Sequence, residues 1–336
     1  MKPDGPNLCR VTTSPLPPAV RTEGLVKAFG DHRAVDGVDL EVAPGEIFGV
    51  LGPNGAGKTT MLRMLATLLA IDGGHAEVLG VDVRRHPHVV RQLIGLIGQY
   101  ASVDENLTAA ENLWLFGRLQ GLGGASARRT ASRLLGQFGL EDAANRPISQ
   151  FSGGMRRRLD LAASLITRPP LIFLDEPTTG LDPRTRGQMW DTIRALVDDG
   201  ATVLLTTQYL DEADQLADRI AVIDRGRKVA EGAPDELKSS VGNSSLHLLL
   251  TDPAQINEAA GVALRLLGTE PVLTPERGRI TVPLDRADDA ADVLVALRSA
   301  QVSIASVSVQ KPSLDEVFLA LTGHDTQPDD HLELTA

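Results

Sequence analysis

The sequence lacks the features that mark secreted and membrane-spanning proteins. Its 336 residues include one cysteine, Cys9, so an internal disulfide cannot form, as expected in a reducing cytoplasm. No segment approaches the roughly 18–20 consecutive apolar residues that a membrane-spanning helix needs. Residues 1–20 are rich in proline and have no apolar segment, so we expect no secretory signal there. Any function at a membrane therefore requires a partner that supplies the channel.

Positive charge is also scarce. Lysine and arginine number 33 against 44 aspartates and glutamates, which gives a net charge of -11. This balance argues against nucleic acid as a partner of the whole chain. The hydrophobic content of 42% is sufficient for a substantial core. The length allows two domains of about 100–200 residues each.

Short apolar segments alternate with helical patterns through the first two-thirds of the chain. Strands are predicted at residues 34–42, 47–51, 93–97, 171–174, 202–206 and 219–223. Strands that alternate with helices predict an α/β fold with a mainly parallel sheet covered on both faces. Residues 102–150 instead show helical spacing at 109–119 and 126–138, which predicts a helical insertion between two strands.

The pattern changes after a polar segment at 239–245, which we interpret as a linker. Residues 246–309 follow the order strand, helix, strand, strand, helix, strand, which predicts a ferredoxin-like α+β domain. A final helix is predicted at 314–321, and its apolar face is suited to packing, so one interpretation is that it merely closes this small domain. The predicted organisation is a loose arm at 1–20, an α/β domain at 21–238, the α+β domain at 246–323 and a disordered tail at 324–336.

A glycine-rich segment lies between the predicted strand 47–51 and a predicted helix. It fits the pattern GxxxxGK[ST] and comprises Gly52, Pro53, Asn54, Gly55, Ala56, Gly57, Lys58, Thr59 and Thr60. Glycines let successive backbone N–H groups turn toward an anion, and the helix adds its positive end. Lys58 can neutralise the β- and γ-phosphates of a nucleotide, and the Thr59 hydroxyl can ligate Mg²⁺. The alternative is a chance lysine in a glycine-rich loop, but the flanking strand and helix favour nucleotide binding.

Two carboxylates follow the apolar strand 171–174. Asp175 can hold Mg²⁺ through water, and Glu176 can orient and polarise an attacking water molecule. A base of this kind typically contributes about 10²–10⁴-fold to a rate. Because a strand with an acidic end is common, this motif alone does not decide the function.

A third motif, Phe-Ser-Gly-Gly-Met at 151–155, precedes a helical pattern. Ser152 can cap that helix, while Gly153 and Gly154 permit close approach of another group. The helix start is then a second anion site, with a plain capped helix as the alternative. The arginine triplet at 156–158 is interpreted as a solvated helix face or a contact with an acidic partner.

These motifs, in this order, resemble the ABC ATPase family over about residues 25–232. P-loop kinases and GTPases share the first motif but lack the Ser-Gly-Gly signature. The resemblance implies that Phe29 stacks on adenine, with a core phenylalanine as the alternative. It also implies that Gln99 senses Mg²⁺ and water beside a membrane partner, and that Asp182 crosses a dimer interface.

The resemblance further implies a head-to-tail homodimer. Ser152, Gly153 and Gly154 of one chain would reach the γ-phosphate of the ATP that the other chain binds. Two positions depart from the family pattern. Met155 replaces a glutamine, and Gln208 replaces a histidine that contacts the γ-phosphate. A glutamine amide can donate a hydrogen bond but cannot become cationic, so we expect hydrolysis rather than binding to be affected.

Segments 98–104, 206–219 and 313–323 resemble the daunorubicin-resistance type of ATP-binding subunit in actinobacterial drug exporters. This implies a peripheral ATPase on the cytoplasmic side of the membrane, paired with a separate multi-span subunit that exports a drug or antibiotic. It further implies that the C-terminal domain supports assembly. The alternatives are export of a lipid or other hydrophobic metabolite, a soluble ABC ATPase acting on ribosomes or DNA, and a regulatory chain whose C-terminal domain binds a small ligand. A single cassette, an acidic balance and no coiled-coil pattern favour the exporter.

Overall fold

The computed structural model describes residues 17–98, 102–241, 244–284, 286, 288–310 and 312–322. The strands are β1 Val20–Phe29, β2 His32–Val42, β3 Ile47–Leu51, β4 Gly73–Val78, β5 Val81–Asp82, β6 Ile94–Ile97, β7 Leu171–Asp175, β8 Thr202–Thr207, β9 Arg219–Asp224, β10 Arg227–Gly232, β11 Ser245–Leu250, β12 Val272–Thr274, β13 Arg279–Pro283 and β14 Ile304–Gln310. The helices are α1 Lys58–Leu65, α2 Pro87–Leu93, α3 Ala109–Leu119, α4 Gly124–Gln137, α5 Gly153–Ser164, α6 Pro183–Asp198, α7 Leu210–Leu216, α8 Pro234–Val241, α9 Ile256–Leu267, α10 Asp289–Ser299 and α11 Leu314–Thr322.

The chain forms two compact units. The first contains the described residues up to 48 together with 57–206 and 225–227, and the second contains 49–56, 207–224 and those from 228 onward. In the first unit, the order of strands across the larger sheet is the start of β3, then β8, β7 and β6. Strands β6, β7 and β8 run parallel. Strands β7 and β8 are buried throughout, as expected for a parallel sheet covered on both faces. The predicted α/β fold with a mainly parallel sheet is confirmed.

Helices α3 and α4 lie between β6 and β7 in the chain, where the helical insertion is predicted. Thr108 begins α3 in a capping box, because its hydroxyl accepts from the Glu111 N–H while the Glu111 carboxylate accepts from the Thr108 N–H. Across the ranges that the structure describes, no helix combines the length and the apolar character that crossing a bilayer would take.

A second sheet of the first unit was not predicted. It is antiparallel and has the order β2-β1-β4-β5. The apolar alternation of β1 is interrupted where its register with β2 shifts between Thr22 and Leu25, and the intervening Gly24 has a φ of 55°. Val20 is fully buried in β1, so it belongs to this sheet rather than to the predicted arm.

In the second unit, β11, α9, β12, β13, α10 and β14 follow in the predicted ferredoxin-like order. The antiparallel sheet has the order β12-β13-β11-β14, and α9 and α10 share its hydrophobic core. The linker prediction at 239–245 is wrong at both ends. Residues 239–241 complete α8, and Ser245 begins β11.

Helix α11 does not pack in the core of the ferredoxin-like domain. Its Leu314, Val317 and Phe318 lie in a separate cluster with Leu51 at the end of β3 and Leu210 at the start of α7. The interpretation that this helix merely closes the small domain is therefore wrong. Helix α11 instead packs against the end of the strand that leads into the glycine-rich segment.

Candidate functional site

Two glycines fix the course of the glycine-rich loop, one in each unit. A Cβ atom at Gly52 would lie 2.2 Å from the carbonyl oxygen of Ile223. Gly57 has a φ of 106°, and a Cβ atom there would lie 2.1 Å from the carbonyl oxygen of Ala34. Gly57 also precedes α1, whose start no side chain caps. The first-turn N–H groups of α1 are therefore suited to an anion.

Lys58, the first residue of α1, lies against the acidic end of β7. Its side chain is 3% exposed, and Nζ lies 3.7 Å from Oε1 of Glu176. Burial lowers the pKa of Lys58, while the charges of Glu176 and Asp175 oppose that shift. The structure thus brings together the predicted cation of the loop and the predicted carboxylates.

The next residue, Thr59, contacts the other carboxylate. Its Oγ1 donates to Oδ1 of Asp175 at 2.9 Å, and Oγ1 of Thr206 donates to the same oxygen at 2.7 Å. Hydroxyl and carboxylate oxygens are the ligands that Mg²⁺ prefers, and the ion usually needs only one or two carboxylates besides phosphate and water. The Thr59 and Asp175 side chains therefore fit a magnesium ion. Thr206 was not predicted as part of this site.

Glu176 is held in an unusual backbone conformation. Its φ of 49° lies in the left-handed region, which costs a residue with a side chain about 1–3 kcal/mol. The Glu176 N–H donates to the carbonyl oxygen of Thr206 at 3.1 Å, and Oγ1 of Thr179 donates to Oε2 of Glu176 at 3.2 Å. The side chain is only 8% exposed. This carboxylate is thus oriented by fixed partners beside Lys58.

The Ser-Gly-Gly motif starts α5 as predicted, but its two glycines have different environments. Oγ of Ser152 accepts from the Met155 N–H at 3.3 Å. Gly153 is exposed and has open space where a Cβ would lie, whereas a Cβ at Gly154 would lie 2.2 Å from Cγ2 of Thr185. Thr185 is itself held by Asp182, whose carboxylate accepts from the Thr185 N–H and hydroxyl at 3.0 and 2.6 Å. The Thr185 hydroxyl bond holds the pKa of Asp182 below its usual value.

This difference predicts opposite outcomes for two alanine substitutions. Gly154→Ala is expected to destabilise the fold by about 1–3 kcal/mol, because the new methyl overlaps a side chain that cannot move freely. Gly153→Ala should leave the melting temperature unchanged or slightly raised, because a helix favours alanine over glycine. Thermal unfolding of both variants checks this. Equal destabilisation would contradict the geometry.

Two further predicted site residues, Phe29 and Gln208, each have surroundings of their own. Phe29 ends β1 with a side chain that is 52% exposed, so the alternative that it is a core residue is wrong. The Lys27 ammonium lies 5.4 Å from its ring centroid. Gln208 is half-buried in the turn between β8 and α7, where Oγ1 of Thr207 accepts from the Tyr209 N–H. Gln99 lies outside the described residues.

The arginine triplet is not a solvated helix face, so that interpretation is wrong. Arg156 pairs with Glu105 at 2.6 Å, and Arg158 donates to the carbonyl oxygen of Phe138. The Arg157 side chain is 11% exposed and donates to main-chain carbonyl groups around Glu176.

Comparison with known proteins agrees with this geometry. A family model described as ABC transporter matches residues 35–179, and one described as ATP-binding protein DrrA1-3-like, C-terminal domain, matches residues 232–322. The chain is 56% identical over 310 residues to the daunorubicin/doxorubicin resistance ATP-binding protein DrrA of Streptomyces peucetius, which covers 91% of this chain and 93% of that protein. It is 39% identical over 316 residues to the Nod factor export ATP-binding protein I of Ralstonia nicotianae, with coverages of 92% and 95%.

A solved structure supplies the fold comparison. The ATP-binding cassette MJ0796, in a dimeric post-hydrolysis state bound to ADP and Pi, superposes with a TM-score of 0.59 at 28% identity. The match covers 64% of this chain and 98% of that cassette.

Proposed function

Because the chain belongs to the family of ABC transporter ATP-binding proteins, we propose that it powers export of a drug or antibiotic through a separate multi-span membrane subunit. As a member of that family it binds ATP and is an ATPase. The observation that supports this function best is the contact of Lys58 and Thr59 with Glu176 and Asp175. The 56% identity to a drug-resistance subunit, over nearly the whole chain, supports the export of a drug.

In this proposal Thr59 and Asp175 hold Mg²⁺, with Gln99 as a third contact. Bound there, the ion would neutralise charge on the β- and γ-phosphates. Thr206 keeps the Asp175 carboxylate in place by donating to Oδ1. Lys58 neutralises phosphate charge from a site where burial strengthens its electrostatic interactions. The loop from Gly52 to Thr60 surrounds the phosphates with N–H groups.

Glu176 is the proposed general base. Its carboxylate accepts a proton from the water that attacks the γ-phosphate, and Thr179 and Lys58 hold it in one orientation. The exposed ring of Phe29 stacks on adenine in the same proposal. Base–aromatic stacking of this kind contributes about 1–3 kcal/mol in nucleic-acid complexes.

The second anion site requires a second copy of the chain. We assign Ser152, Gly153 and Gly154 to the γ-phosphate of ATP bound by the partner copy, with Asp182 at the interface of a homodimer. The open space at Gly153 supports this assignment, because an approaching phosphate would find no side chain of the same chain in its way. The solved MJ0796 cassette is dimeric.

Gln208 is proposed to contact the γ-phosphate as a neutral hydrogen-bond donor. Gln208→His is expected to raise the ATPase kcat, by about tenfold or less, because histidine can also carry charge and a proton. Nucleotide affinity should change little. Steady-state ATPase assays and nucleotide titration measure both quantities. Unchanged or lower kcat would show that Gln208 does not limit turnover.

Recovery from membranes tests the export proposal. The tagged full-length chain, with Glu176→Gln as the inactive control, is purified from detergent-solubilised membranes of its native host. We expect a multi-span protein to be recovered with it, as for a peripheral subunit that we propose to lie on the cytoplasmic face of the membrane. Recovery with ribosomes and without such a partner would contradict the proposal.

Cargo is tested in cells that express this chain with its membrane partner. Retention of fluorescent daunorubicin should fall relative to the Glu176→Gln control. The 39% identity to a Nod factor export subunit shows similarity to a subunit that is not named for drug resistance. We therefore keep export of a lipid or other hydrophobic metabolite as a second candidate. Unchanged daunorubicin retention, with altered release of such a metabolite, would favour that candidate.

A further inference from the structure

The hydrogen-bond partners of Arg157 are unusual for an arginine within a run of three. It lies in the second turn of α5, the helix that the Ser-Gly-Gly motif starts. Its guanidinium donates to four main-chain carbonyl oxygens, those of Gly98, Asp175, Glu176 and Pro177, at 2.5, 3.1, 3.2 and 3.0 Å. Arginine has five N–H donors in a fixed plane, and this arrangement uses nearly all of them.

The four carbonyl groups belong to two places that matter for hydrolysis. Three are consecutive and run from Asp175, the last residue of β7, through Glu176 to Pro177. The fourth belongs to Gly98, which directly follows β6 and precedes Gln99 in the sequence. One side chain therefore ties the loop of the catalytic carboxylate to the end of the neighbouring strand. It does so where Glu176 is held at a left-handed φ of 49°, a conformation that needs support from its surroundings.

Asp160, one turn further along α5, holds the same network from the other side. It is 3% exposed, its Oδ1 accepts from the Ser102 N–H at 2.8 Å, and its Oδ2 lies 3.9 Å from Nη1 of Arg157. Burial raises the pKa of Asp160, which the Ser102 hydrogen bond and the Arg157 charge oppose. The buried Asp160 carboxylate therefore lies close to the Arg157 guanidinium, one turn away on the same helix.

We propose that Arg157 is a positioning residue for Glu176, and that it carries the state of the Ser-Gly-Gly helix to the catalytic loop. This proposal rests on the proposed function in one respect, the contact of that helix with nucleotide. Arg157 then connects the start of α5 to the main-chain carbonyl groups of the loop that contains Glu176. Nucleotide engaged by Ser152–Gly154 would fix α5, and Arg157 would fix the loop that presents Glu176.

The test separates catalysis from binding and folding. Arg157→Gln and Arg157→Lys are made in the full-length chain, and kcat and KM for ATP, the Kd for ADP and the melting temperature are measured. We expect kcat to fall on the order of 10–100-fold for glutamine, as a small misplacement of a catalytic group does. The kcat of Arg157→Lys should be intermediate, because one ammonium group cannot donate to all four carbonyl oxygens. The ADP Kd should stay within about threefold of the parent value.

Arg156→Gln is the matched control, because this neighbour has the same charge and pairs with Glu105 instead. It should keep kcat within about twofold. A fall in melting temperature and ADP affinity, with kcat at saturating ATP unchanged, would make Arg157 merely structural and overturn the proposal. So would equal losses of kcat for Arg156→Gln and Arg157→Gln. All assays use the purified chain, so failure of the export proposal would not alter their outcome.

Discussion

Replacing Glu176 with glutamine is expected to lower the ATPase kcat by about 10²–10⁴-fold, the usual contribution of a positioned base. The amide has nearly the same shape as the carboxylate and can still accept from the Thr179 hydroxyl, so the loop should keep its conformation. It cannot accept the proton of the attacking water. ATP binding should persist, and ATP-bound dimers should accumulate. Steady-state hydrolysis and size-exclusion chromatography with Mg²⁺ and ATP measure both effects.

Glu258→Gln is a suitable control, because Glu258 is an exposed residue of α9 in the ferredoxin-like domain. It makes the same chemical change far along the chain from β7 and should leave kcat unchanged. A Glu176→Gln chain that hydrolyses ATP at the parent rate would remove Glu176 from the role of base.

Lys58→Ala is expected to reduce kcat/KM by at least about 10²–10³-fold, as loss of one buried group that stabilises transition-state charge does. The phosphates lose their cation, and Glu176 loses the positive charge 3.7 Å away. Because the group is 3% exposed, water cannot replace it fully. Unlike Glu176→Gln, this variant should also lose ATP affinity. Titration with ATP in the presence of EDTA separates that loss from any effect on metal binding.

Lys228→Ala provides the matched lysine control, since Lys228 lies in β10 and pairs with Glu231. Its kcat/KM and affinity should equal those of the parent. Continued hydrolysis by both Lys58→Ala and Glu176→Gln would refute the whole assignment of the site, including the roles of Thr59 and Asp175.

Sequence patterns predicted the central strands and the ferredoxin-like domain because both have a clear apolar pattern, continuous in the first and alternating in the second. Continuous apolar runs become the buried parallel strands β7 and β8, and the C-terminal alternation becomes β11. Strand β1 was missed because a bulge near Gly24 breaks its period of two. The linker was misplaced because its polar serines are compatible with the end of α8.

Candidate site residues could be predicted only where the residue type and its spacing indicate a particular chemistry. Glycines, a lysine and two carboxylates have recognisable spacing, so Lys58, Asp175 and Glu176 could be proposed from the sequence, and the structure brings them together. The role of Arg157 could not be distinguished from that of Arg156 or Arg158 in the sequence, because its partners are main-chain carbonyl groups, which every residue has. A helical wheel carries the one available signal. Arg157 lies three residues after the buried Gly154 and four before the buried Leu161, on the inward face of α5.

The position of α11 has a consequence for how the protein is made. Leu314 and Phe318 belong to the same apolar cluster as Leu51, the residue that directly precedes the glycine-rich segment. The ribosome synthesises them last among these residues, long after the loop itself has emerged. Until then the nascent chain carries its glycine-rich segment beside an incomplete apolar cluster. A chain terminated before Leu314 would thus leave that cluster exposed to proteases and chaperones.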